Sequence, residues 1–73
     1  MTYEQGFGAR LKAARRKARL TQERLGEKIY ADRCTIQKWE NGSRCPRTYF
    51  LPLLEQALNV SVQYLVTGEE KSE

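Results

Sequence analysis

Between Thr21 and Gly42 the chain carries its own helix start and stop signals at close spacing. Thr21 and Asp32 have side chains that accept a hydrogen bond from the first turn of a helix, and Asn41-Gly42 is a pair that ends one. The spacing predicts one helix from Thr21 to about Lys28 or Ile29 and a second from Arg33 to about Asn41. Only a tight turn fits between them.

The rest of the chain follows the same scale. Residues 4–19 predict a helix, with Phe7, Leu11, Ala14 and Ala18 in one narrow stripe at roughly 100° per residue. Arg10, Lys12, Arg16, Lys17 and Arg19 cover the remaining surface, and Arg15 lies at the edge of the stripe. Gly26 costs the second helix about 1 kcal/mol against Ala, which predicts another backbone passing close to it. "SRCPR" reads as a loop. Residues 48–58, "TYFLPLLEQAL", have helical spacing in Leu51, Leu54 and Leu58. Pro52 either lies in the first turn, with Thr48 as cap, or kinks that helix. Ser61 caps a last short helix, Val60 staples against Leu65, and Gly68 closes it. There is no strand signal. The expected fold class is all-α with five short helices: residues 1–68 form one domain and 69–73 a polar C-terminal tail.

Composition excludes several functions. Hydrophobic residues are 40% and charged residues 30%, as in ordinary globular domains. No apolar run approaches the roughly 18 residues of a membrane span, and "MTYEQGFGAR" lacks the apolar core of a signal peptide, so a cytoplasmic address is expected. The stripe of the first helix is narrow and Ala-rich, better suited to a helical core than to a membrane surface. There is no His, and Cys34 and Cys45 alone do not make a zinc site. Two reduced thiols, no metal and no cofactor are expected. An enzyme is not expected either. The chain has no paired carboxylates in an apolar setting, no Gly-rich phosphate loop and too little volume for a substrate pocket, so no small-molecule ligand is predicted.

Charge points elsewhere. Residues 1–47 hold twelve Lys/Arg against five Asp/Glu, a balance of +7, whereas residues 48–73 carry −3. Such asymmetry fits a polyanion bound by the first two-thirds of the chain. In the segment "DRCTIQKWENG", Arg33, Gln37, Asn41, Cys34 and Lys38 fill an arc of roughly 140° on a helical wheel. Ile36 and Trp39 fall on the other side with Thr35. The apolar pair anchors the helix, and the polar set is presented outward. Arg can give two hydrogen bonds to guanine and Gln two to adenine in the major groove, and short Cys34 lets the helix sit close.

A capped helix, a short turn and a second capped helix with an inner apolar seam make a helix-turn-helix. In "FGARLKAARRKARLTQERLGEKI", "TIQKWENGSRCP" and "LLEQALNVSVQYLVTG" the chain resembles the lambda-repressor-like (Cro-type) helix-turn-helix DNA-binding family over about residues 6–68. The resemblance implies that the third helix enters the major groove, with Arg33, Cys34, Gln37 and Lys38 facing bases. It implies phosphate contacts from Gln22, Asn41, Ser43 and Arg44, with Arg10 and the other basic residues of the first helix adding to them. It implies a salt bridge between Arg15 and Glu40, a simple phosphate contact being the alternative for Arg15. The family usually has Gly where this chain has Tyr30, so either the turn differs or Tyr30 is strained.

The expected function is a sequence-specific double-stranded DNA-binding transcriptional regulator, a repressor, acting as a homodimer on a palindromic operator. Val62, Tyr64, Leu65 and Val66 are the expected dimer surface, because so short a helix is not expected to bury all four internally. The alternatives are a protein-interaction module of antitoxin or anti-repressor type, and the DNA-binding head of a longer repressor.

Overall fold

The computed structural model describes residues 6–68. The tail expected at 69–73 and residues 4 and 5 of the expected first helix lie outside the described residues. Five helices follow in chain order: α1 (Phe7–Lys17), α2 (Gln22–Ile29), α3 (Arg33–Glu40), α4 (Phe50–Leu58) and α5 (Val62–Thr67). Among the described residues there is no strand.

Three starts are set by the expected caps. Thr21 accepts from the Arg24 amide, Asp32 from the Thr35 amide and Ser61 from the Tyr64 amide, at 3.0, 2.8 and 3.0 Å. α1 ends earlier than expected because Arg19 turns left-handed (φ 62°), and the Leu20 amide folds back onto the Arg15 carbonyl at 3.1 Å.

α4 corrects the expected Thr48 cap. Tyr49 holds the cap position in helical geometry and makes no side-chain cap bond. The Phe50 and Leu51 amides instead reach back three residues, to the Arg47 and Thr48 carbonyls at 2.9 and 3.1 Å. The chain thus enters α4 already coiled, and Thr48 contributes its carbonyl rather than its hydroxyl. Pro52 is the third residue of the helix, in the first turn, where an N–H has no intrahelical partner to lose.

The packing is cyclic. α3 rests on α1 and α2, α2 on α4, α4 on α5 and α5 on α1. Leu11, Leu25, Ile29, Ile36, Leu54 and Leu65 fill the centre and are fully buried. Trp39 seals one side, its ring edge-on to Phe50 with centroids 5.0 Å apart. Val60 is half-buried against the core cluster to which Leu65 belongs. Such aromatic pairs add about 0.5–1.5 kcal/mol beyond the area they bury.

α5 contradicts part of the expected dimer surface. Leu65 and Val66 are core residues, turned toward the interior, while Val62 and Tyr64 are half-buried. The six-residue helix lies on both α1 and α4, so it buries more of its surface than a helix resting on one neighbour.

Close backbone approaches fix the angle of α3. A Cβ on Gly26 would collide with the Ala31 carbonyl in the turn, as the sequence predicts. Gly8, which the sequence reading did not single out, does the same between α1 and α3: a Cβ there would lie 2.7 Å from the Trp39 carbonyl oxygen and closer still to that of Glu40. The turn itself is left-handed, with Tyr30 at φ 64° and ψ 41°. A side chain in that region costs about 1–2 kcal/mol. Of the two expectations for this position, the strained Tyr30 is the one the backbone bears out.

Candidate nucleic-acid interface

α3 begins at the Asp32 cap. The Thr35 backbone amide holds the Asp32 carboxyl below its ordinary pKa; a side-chain hydrogen bond from Thr35 and the charge of Lys38 act in the same direction. A carboxylate at a helix start is also favoured by the helix dipole. Ile36 is fully buried and Trp39 is 3% exposed, so the inner seam is firmly held. Arg33, Cys34, Gln37 and Lys38 are all exposed on the opposite side. The helix therefore presents the polar set that its periodicity predicts.

The loop after α3 is folded back onto the helix end. The Ser43 and Arg44 amides both donate to the Lys38 carbonyl, at 3.0 and 3.2 Å, and the Ser43 amide also donates to Asn41 Oδ1 at 2.9 Å. Gly42 supplies the left-handed step (φ 85°). Asn41, Ser43 and Arg44 are exposed. Asn41 Oδ1 accepts from the loop, which leaves its amide nitrogen as the side-chain group that can donate to an anion.

Two shallow clefts show which residues come together. One, of about 370 Å³, is bordered by Arg15, Thr21, Gln22, Glu23 and Arg33 and joins the start of α2 to the start of α3. The other, of about 330 Å³, brings Lys38 and Arg44 beside Arg47, with Thr35 and Tyr49 also on its walls. Arg47 is an exposed third cation that the sequence reading passed over as part of a loop. It follows Pro46, which is buried.

Behind this surface lies a buried polar network. Arg15 Nε and Nη2 donate to the two Glu40 oxygens at 2.7 and 3.2 Å, and Arg15 Nη1 donates to the Leu20 carbonyl at 2.7 Å. Gln22 Nε2 donates to Glu40 Oε1 at 3.1 Å. The salt bridge is formed, and Arg15 is a strut between α1 and α3 rather than a surface cation. Gln22 is half-buried, with one amide hydrogen committed to Glu40 and the other able to serve an anion.

Arg10 departs from its expected place. Its Nε and Nη2 donate to the Leu65 and Val66 carbonyls at 3.1 and 3.0 Å, so it ties α1 to the end of α5 and is half-buried there. Both carbonyls lie in the last turn of α5, where a guanidinium fork is a good donor. Lys12, Arg16, Lys17 and Arg19 remain exposed on and just after α1. Cys34 and Cys45 are free thiols. No helix among the described residues is long and apolar enough to cross a membrane.

Comparison with known proteins gives consistent matches. The family described as Helix-turn-helix matches residues 11–65. The HTH-type transcriptional activator BcrR of Enterococcus faecalis is 36% identical over 64 residues, 88% of this chain and 31% of BcrR. The HTH-type transcriptional regulator ImmR of Bacillus subtilis (strain 168) is 38% identical over 66 residues, 90% of this chain and 52% of ImmR. The chain thus spans about a third to a half of the length of these relatives. Among solved structures, the P22 c2 repressor protein in complex with a synthetic operator superposes with a TM-score of 0.85 at 32% identity, covering 90% of this chain and all of that one.

Proposed function

The chain belongs to the lambda-repressor-like helix-turn-helix family of DNA-binding domains, and on that premise we propose that it is the DNA-binding part of a transcription regulator, reading double-stranded DNA with α3 in the major groove. The observation that carries this reading is the division of α3 into a buried seam, Ile36 and Trp39, and an exposed face of Arg33, Cys34, Gln37 and Lys38.

The roles follow from chemistry. Arg33 and Gln37 each have a fork of hydrogen-bonding groups that fits one base edge, and each good bidentate contact discriminates by about 1–3 kcal/mol. Lys38 reaches guanine or a phosphate, and Cys34 is small enough to let the helix approach. Gln22, Asn41, Ser43 and Arg44 hold the phosphates on either side, joined by Arg47; these contacts set register and affinity. Arg10 is not in this set, because its guanidinium serves α5.

One module reads few base pairs, so useful specificity needs two copies on half-sites about 34 Å apart. Val62 and Tyr64 are what remains of the apolar surface of α5 for a homodimer. Repression by occupancy is the simplest consequence of such binding: a covered duplex is closed to other proteins. The part-length matches to longer regulators favour a DNA-binding head as the role of this domain. Selection of bound duplexes from a random pool tests the reading. A palindromic consensus is expected, and a pool that never enriches would overturn it.

A further inference from the structure

Tyr30 combines a strained backbone with an exposed aromatic side chain. Its backbone is left-handed, a conformation suited to glycine or asparagine, and its side chain is 86% exposed. Arg19, which is also exposed, and Asn59 take the same conformation after α1 and α4; Tyr30 is the one of the three in the turn between α2 and α3. For Tyr30 almost no internal burial offsets the strain. An outlier of this kind beside the helix that faces the duplex motivates a hypothesis of function.

Position narrows the choice of partner. Tyr30 stands two residues before the Asp32 cap and three before Arg33, the first residue of α3. Lys28 and Arg33, both exposed, put positive charge on either side of it. Of the two nearby carboxylates, that of Asp32 is turned onto the Thr35 amide at 2.8 Å and that of Glu27 lies 3.7 Å from Arg24. A phenol here stands in the turn that leads into the base-facing helix.

We propose that Tyr30 contacts the sugar–phosphate backbone beside the bases read by α3, its hydroxyl donating to a phosphate oxygen and its ring lying against the neighbouring sugar. This rests on the reading of α3 as the duplex-facing helix. Tyr is among the residues that position proteins on phosphates. It carries no charge, so the contact adds affinity without releasing a counterion.

The test compares wild type, Tyr30→Gly and Tyr30→Phe in thermal melts and in binding to a selected and a random duplex across a salt series. Tyr30→Gly is expected to melt at or above the wild-type temperature, since the strain is relieved, and yet to bind both duplexes more weakly by the same factor, about 3- to 10-fold. Tyr30→Phe, with the backbone unchanged, is expected to lose about 2- to 5-fold. The salt slopes of all three coincide. Wild-type affinity in both variants would overturn the proposal, and so would a variant that keeps its duplex affinity but loses a protein partner. Failure of the wild type to bind any duplex at low salt would instead remove the reading of α3, and this proposal with it.

Discussion

Arg15 Nε lies 2.7 Å from Glu40 Oε2, an ion pair whose side chains are 10% and 4% exposed and which ties α1 to the last residue of α3. Two charges this far from water hold each other and leave little tolerance for loss of one. Glu40→Ala would leave the guanidinium buried beside a carbonyl and an amide, and is expected to cost about 3–5 kcal/mol. Urea unfolding would show this as a lower midpoint with an unchanged slope. Arg15→Met combined with Glu40→Leu is expected to recover most of the loss, because apolar pairs of similar volume replace buried ion pairs well.

Arg10 gives the opposite forecast to an exposed cation. Its hydrogen bonds to the Leu65 and Val66 carbonyls hold the end of α5. Arg10→Ala is expected to lower stability by about 1–3 kcal/mol and to leave the salt slope of duplex binding unchanged. A slope lower by one unit with stability intact would return Arg10 to the phosphate contacts.

Gly8 and Gly26 are the points where α3 and the turn touch other backbone. An added methyl group meets a carbonyl oxygen in each case, not the tip of a flexible side chain. Gly8→Ala and Gly26→Ala are each expected to destabilise by about 1–3 kcal/mol despite the better helix propensity of Ala. Melting midpoints of the two variants check this; a gain in either would mean that the backbones stand farther apart.

Local signals were legible in the sequence, and long-range ones were not. Thr21, Asp32 and Ser61 cap helices because a cap acts within three residues of itself. Gly26 was legible from its cost inside a helix. Gly8 carried the same signal near the start of α1 and was not read. The face of α3 followed from periodicity, whereas the Arg15–Glu40 pair came from family resemblance, supported by the position of Arg15 at the edge of its stripe. Arg10 bridges a sequence separation of 55 and 56 residues to reach α5, and nothing in its neighbourhood on the chain announces that. Leu65 and Val66 looked surplus because the count of apolar residues in a short helix does not show how many neighbours it has. Arg47 was hidden in a loop, just after buried Pro46.

Acid should weaken α3 through Asp32. Its carboxyl titrates below the ordinary value when folded, held down first by the Thr35 amide. The stabilisation is therefore complete above the unfolded pKa of about 3.9 and disappears as pH falls through the lower folded value. Asp32→Asn keeps a cap oxygen without the charge. Thermal melts between about pH 5 and pH 2 are expected to lose midpoint more steeply in wild type than in the variant. Parallel curves would mean that Asp32 contributes only as a neutral cap.

The division between base contacts and phosphate contacts is tested most directly by titrating a selected and a random duplex with wild type, Arg33→Ala and Arg44→Ala over a range of salt. Arg33→Ala is expected to lose preference at one base position with folding intact. Arg44→Ala is expected to weaken both duplexes alike and to reduce the salt slope by about one unit. Equal losses on both duplexes in both variants would contradict the assignment of α3 as the helix that reads sequence.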